Sequence, residues 1–203
     1  MSDQAPYPVT FVVPVDDEQR SRGLAALGVL FIKPLLLIPH IILLALYTIA
    51  VQIVVWIGYW YILFTGGKPY WVENLELIYL EWISRVFAWF TATTDAYPTF
   101  GTDENHPAQV EVVEPPEPQN RLLAFLGIIL IRTILALPHF FILAWLTLGT
   151  IIVAWVGFVW ILVNGSLPLS LHYYFVGFHQ WWARAWAYTA ALTDEYPPFS
   201  LKV

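Results

Sequence analysis

The sequence predicts an all-α integral membrane protein made of two tandem copies. Three features carry that prediction: a composition too apolar for water, long apolar runs, and a repeat at one fixed spacing. Of 203 residues, 59% are hydrophobic and only 12% charged. Soluble domains average about 25% charged residues, so this chain lacks the charge to cover a wetted surface. Thirteen Phe, eleven Trp and eleven Tyr suit a membrane–water boundary. A net charge of −6, with nine Lys plus Arg, leaves no basic stripe for nucleic acid. The absence of cysteine removes thiolate nucleophiles, disulfides, Fe–S clusters and Cys-zinc sites. Residues 1–23 are polar and acidic (Asp3, Asp16, Asp17, Glu18), unlike a cleavable secretory signal, so the first apolar segment is expected to stay in the chain.

Displacing the sequence by 99 residues aligns 7–100 with 106–199 without a gap. Arg22 falls on Arg121, Pro39-His40 on Pro138-His139, Trp56 on Trp155, Gly58 on Gly157 and Gly66 on Gly165. Pro69 falls on Pro168, Arg85 on Arg184, and Thr94-Asp95 on Thr193-Asp194. Roughly a third of aligned positions are identical, the signature of an old internal duplication. The domain reading is a first repeat at 1–101, an acidic Pro-rich linker with the second strand at 102–119, and a second repeat at 120–203.

Each copy opens with a β-branched stretch, 7–15 and 108–114, read as strands that pair as a small ribbon outside the membrane. After Arg22, residues 24–38 are apolar except Lys33, and residues 41–64 are apolar except Thr48 and Gln52. The second run, about 36 Å as helix, is long enough to span a bilayer; the first is borderline. Two topologies follow. In one, each copy is a helical hairpin that turns at Pro39-His40 (Pro138-His139). In the other, the first run lies in the interface and only the second crosses. The hairpin puts Arg20, Arg22, Lys68, Arg85, Arg121, Arg184 and Lys202 on one face, so the positive-inside bias favours it, with multi-pass insertion, both termini cytoplasmic and the extended segments on the cytoplasmic side.

The turn at Gly66 (Gly165), with Pro three residues on, closes the long helix. Residues 70–92 then read as an amphipathic helix lying in the interface, with Glu81 and Arg85 paired across one turn; 171–192 is the more apolar equivalent. Each copy ends in Thr-Asp-x-Tyr-Pro-x-Phe.

The order of Tyr7-Pro8, Arg22, Pro39-His40, the 64–69 turn, Arg85 and Thr94-Asp95-Ala96-Tyr97-Pro98 resembles the bacterial membrane family known as domain of unknown function 4389. The second ending, Thr193-Asp194-Glu195-Tyr196-Pro197-Pro198-Phe199, is closer still. The resemblance covers nearly the whole chain twice, departing where His106 stands in the place of Tyr7. It implies residence in a bacterial plasma membrane and carries no activity, substrate or catalytic residue.

His40 and His139 are the candidate cofactor ligands, since two neutral imidazoles facing each other ligate a b-type haem or a metal. The competing reading is a helix-end histidine that satisfies exposed backbone. His172 and His179, two turns apart, read as a polar rim. Arg85 and Asp95, with Arg184 and Asp194, read as a tether between amphipathic helix and closing loop. Lys33 and Arg132 read as snorkelling cations, and Gly28, Gly127, Gly58 and Gly157 as close-packing points. No Ser-His-Asp order, phosphate loop or metal signature occurs, so no enzyme and no cofactor is expected. The function expected is a non-enzymatic membrane scaffold or accessory subunit, bound to lipids and to copies of itself or a larger membrane complex. A small transporter or channel, and a cofactor- or lipid-binding protein, are the alternatives.

Overall fold

A computed structural model of the chain describes residues 7–15, 19–113, 115 and 118–202. The acidic Asp3, Asp16, Asp17 and Glu18, and Glu114 at the end of the second strand reading, lie outside the described residues. Copy one contains β1 (Val9–Val12), α1 (Arg22–Val29), α2 (Lys33–Leu36), α3 (Ile38–Thr65) and α4 (Tyr70–Phe90). Copy two contains β2 (Gln109–Val112), α5 (Arg121–Ile128), α6 (Ile131–Asn164) and α7 (Leu169–Thr189). By length and apolarity, α3 and α6 are candidate membrane-spanning helices.

The hairpin turn at Pro-His is not where the chain bends. Pro39 sits in the first turn of α3, where its missing N–H costs nothing, and Pro138 lies inside the continuous α6. The bend comes earlier, at the repeat-equivalent Phe31 and Leu130, each in the left-handed region at φ 58° and 64°. The first arm is therefore α1 or α5, eight residues and about 12 Å long, too short to cross hydrocarbon. Ser21 and Asn120 cap these short helices with their side-chain oxygens. At the far end of each long helix a left-handed glycine, Gly66 or Gly165, stops the spiral as the sequence anticipates.

The copies exchange their first helices. α1 packs on α6 of the other copy, and α5 packs on α3. The small residues allow it: the Phe158 ring fills the space a Cβ on Gly28 needs, and the Tyr59 ring does the same over Gly127. Gly58 and Gly157 instead admit the side chains of Val72 and Leu167. β1 and β2 pair antiparallel, with Thr10 opposite Glu111 and Val12 opposite Gln109, which is the ribbon expected. The ribbon lies on α7 and α4, which cross where His179 Nε2 meets Ser84 Oγ at 2.7 Å and Phe87 stacks on His179. The result is three layers: ribbon, then α4 with α7, then α3 and α6 with their short partners.

Helices form at both positions read as interfacial, yet most of α7 and much of α4 are buried in protein. The open apolar surface belongs to α3 and α6. Ile42, Leu46, Ile49, Ile53 and Phe64 are exposed along α3, and Ile134, Phe141, Trp145, Ile152 and Val163 along α6.

Candidate functional site

The repeated polar residues gather into two equivalent clusters, one per copy, at the start of each long helix. His40 stands in the first turn of α3, and its Nδ1 accepts a hydrogen bond from Trp82 Nε1 at 2.9 Å. Its ring stacks on Phe100, centroids 4.1 Å apart, with Tyr97 edge-on at 5.2 Å. Tyr97 is held in turn by donating to Leu36 O at 2.7 Å. His139 repeats every contact: Trp181 Nε1 donates to Nδ1 at 2.9 Å, Phe199 stacks at 3.8 Å, and Tyr196 donates to Leu135 O at 2.9 Å. The Tyr-Pro-x-Phe ending is thus the roof of a cage over the Pro-His histidine.

The cage fixes the chemistry of the imidazole. With Nδ1 accepting, the neutral ring carries its proton on Nε2, and Nε2 is buried without a partner in both copies. Each histidine is enclosed by its own copy's aromatics, so the structure does not bring His40 and His139 face to face as a bis-imidazole ligand pair. Among the described residues no group of three metal-ligating side chains assembles.

Beside each cage lies a buried cation. Lys33 and Arg132 are both 0% exposed, which corrects the snorkelling reading. The Lys33 ammonium sits 4.5 Å from the Trp89 ring centre and 5.0 Å from Phe158, with no hydrogen bond. Burial lowers its pKa to about 8, opposed in part by Asp95. Arg132 instead donates to Tyr188 O at 2.7 Å and to Thr193 O, and pairs with Asp194 at 3.3 Å.

The aspartates of the ending are caps. Asp95 accepts from Ser21 N at 2.6 Å and Asp194 from Asn120 N at 2.7 Å, so each satisfies backbone at the entrance of the short helix. The Arg85–Asp95 tether does not form. Arg85 binds Glu81 at 3.4 Å, as the one-turn pairing anticipates, together with Thr99 and the carbonyls of Gly101 and Asp103. Its equivalent Arg184 reaches the ribbon instead, donating to Val9 O at 3.2 Å beneath the Tyr7 ring. Arg22 and Arg121 begin α1 and α5 and lay their guanidinium groups over Gly165 and Gly66 of the opposite copy. His172 and His179 are buried rather than at a rim. His172 meets Val13 O at 3.1 Å, and burial pushes His179 down to about 3.

Between α3 and α6 two equivalent clefts open. One, about 380 Å³, is lined by Leu37, Ile41, Phe87, Thr150, Phe178 and Trp182. The other, about 230 Å³, is lined at the positions matching Ile41, Phe178 and Phe87 by Phe140, Tyr79 and Trp186, and also by Gln52, Thr133 and Thr189. The early part of α3 thus faces the middle of α6, and the middle of α3 faces the early part of α6, so the long helices run antiparallel. Sequence reasoning missed the Trp82 and Trp181 donors, although the 99-residue register pairs them.

The family profile for a domain of unknown function (DUF4389) matches residues 29–101 and 128–200. The chain belongs to that family, in two tandem copies. Neither the curated proteins nor the solved structures include a match to it.

Proposed function

Starting from that family membership, we propose that the protein is a non-enzymatic membrane scaffold or accessory subunit of the bacterial plasma membrane, with both termini on the cytoplasmic face. The observation that carries this reading is the division of labour in the fold. Apolar residues stay exposed along the whole of α3 and α6, from Ile38 to Phe64 and from Ile131 to Val163. Single surface hydrophobics are ordinary, but an unbroken face of this size marks contact with lipid or with a partner. Most of the repeated polar residues, by contrast, are used inside the fold as caps, cage partners and donors to carbonyls. Gln52 has Ile151 as its equivalent, so the polar lining of the smaller cleft is not repeated in the larger, which weighs against a transporter or channel.

A second reading, lipid binding, is favoured by the larger cleft. Its walls are almost wholly apolar, and its volume falls within the usual ligand-pocket range of roughly 300–1,000 Å³. Native mass spectrometry after gentle extraction from the membrane tests both. A homo-oligomer or a defined protein complex is the expected result. A monomer that carries one stoichiometric small molecule moves the function to the cleft, and loss of a bound chromophore in His40→Gln/His139→Gln restores the cofactor reading.

A further inference from the structure

α3 and α6 are long enough to cross a bilayer, but the connections around them do not permit a crossing. β1 and β2 flank α3 in sequence and are hydrogen-bonded to each other. Two paired strands share one side of a membrane, so the chain between them crosses an even number of times. α3 is the one described helix in that stretch with the length and hydropathy of a span. α4 carries Glu73, Glu76, Glu81 and Arg85. The same parity holds for α6, since Tyr7, ahead of β1, donates to Glu195 O beyond α7 at 2.9 Å.

Both ends of each long helix are tied to the same ribbon. At the start of α3, Leu36 O accepts from Tyr97, Ala96 O meets His106 Nε2 at 3.3 Å, and His106 Nδ1 accepts from Ala108 N at 3.1 Å, one residue before β2. At its end, Gly66 O accepts from Gln119 N at 2.8 Å, shortly after β2 closes. α6 is held the same way around β1: Leu135 O by Tyr196, next to the Glu195 that receives Tyr7, and Gly165 O by Arg20 N at 2.8 Å.

Dimensions agree. The descent into the apolar layer is made by α1 or α5, about 12 Å long, less than the roughly 15 Å of half a hydrocarbon core. The open apolar faces of α3 and α6 run about 40 and 50 Å, well beyond the roughly 30 Å that an upright helix covers. The outer edge of β1 is met by Gln180 and Arg184, which bond Phe11 N and Val9 O, while the outer edge of β2 carries backbone groups that hydrocarbon cannot satisfy, so the ribbon belongs in water.

We propose that the protein is monotopic: α3 and α6 lie antiparallel along a single leaflet with their open faces against its acyl chains, and α4, α7 and the ribbon stack above them on the side of entry. This replaces the multi-pass hairpins expected from hydropathy, and it rests on the membrane reading above.

The natural absence of cysteine makes the test direct. Single-Cys variants of the full chain, Glu104→Cys beyond α4, Thr65→Cys and Asn164→Cys at the helix ends, and Leu30→Cys at the bend, are treated in intact and in lysed cells with a membrane-impermeant maleimide. Flotation with vesicles of mixed zwitterionic and anionic phospholipid is run alongside. The expected result is flotation, with Glu104→Cys, Thr65→Cys and Asn164→Cys labelled from one common side and Leu30→Cys from neither. Flotation with Leu30→Cys labelled from the opposite side, or with Glu104→Cys and Asn164→Cys on different sides, overturns the one-leaflet seat and leaves the membrane reading standing. Protein that fails to float, with all four sites labelled, overturns both.

Discussion

In copy one the cation at the bend is Lys33, lodged between Trp89 and Phe158 with no hydrogen bond; in copy two it is Arg132, which gathers Tyr188 O, Thr193 O and Asp194. The reverse holds at the glycine turn. Copy one buries an ion pair, Lys68 with Glu76, and Lys68 also reaches Ala190 O at 3.1 Å, whereas copy two has Leu167 and Phe175 there. The histidine cages, however, are the same in both. The lesson is that the duplication has kept the contacts that shape the backbone and let the interior charges drift to different solutions.

That comparison breaks most visibly where one partner of a buried charge is removed. Arg132→Met takes the ion pair from Asp194, which keeps its bond from Asn120 N, and leaves Thr193 O without its donor; it is expected to cost about 3 kcal/mol, seen as a fall in the thermal midpoint of the detergent-solubilised protein. Glu76→Phe alone is expected to cost a similar amount, because it strands the Lys68 ammonium. Adding Lys68→Leu, so that copy one carries copy two's residues, should return stability to the starting value or above it; a double variant no better than the single one would show that the pair is irreplaceable in its site.

Smaller effects sharpen the same contrast. Trp82→Phe and Trp181→Phe each leave a buried imidazole Nδ1 without a donor and should cost about 1–3 kcal/mol, equally in the two copies. Unequal losses would mean that only one cage is structural.

Burial raises Glu76 from 4.5 to about 7, with Lys68 opposing. The folded chain then holds a proton that the unfolded chain releases, so this contribution is fully present below about pH 4.5 and is lost as pH rises through about 7. The thermal midpoint should therefore fall across that window, and the Lys68→Leu/Glu76→Phe protein should lack the slope. Lys33→Met is expected to have the smallest effect and the opposite sign to Arg132→Met. It trades cation–π attraction, up to about 2 kcal/mol, for relief of an unsatisfied buried ammonium, and unfolding measurements of the two variants side by side decide the sign.

Much of the fold was legible because its determinants are local. Gly66 and Gly165 ended the long helices where the Gly–Pro spacing put them, and the β-branched stretches became the ribbon. The bend was misplaced because Pro39 and Pro138 resemble a turn signal, yet proline fits a helix's first turn, and a left-handed Phe31 or Leu130 has no sequence mark. The exchange of α1 and α5 between copies was invisible for a different reason. It depends on Gly28 meeting Phe158 and Gly127 meeting Tyr59, contacts across more than a hundred residues that no local period records. At the candidate site the repeat picked out the histidines and the Tyr-Pro-x-Phe ending, but not that one roofs the other. Asp95 was paired with the wrong partner because charge counting favours Arg85 over the backbone N–H of Ser21.

In the proposed one-leaflet seat the ribbon joins both copies on one face of the membrane, and this is tested most directly by a cross-link in the membrane-bound protein. Thr10 and Glu111 are directly opposed in the antiparallel register, at a spacing that suits a disulfide. In native membranes Thr10→Cys/Glu111→Cys should form an intramolecular disulfide under mild oxidation, while the off-register Thr10→Cys/Val113→Cys should not. Failure of the in-register pair to form, with both thiols reachable from opposite faces of the membrane, would contradict the account.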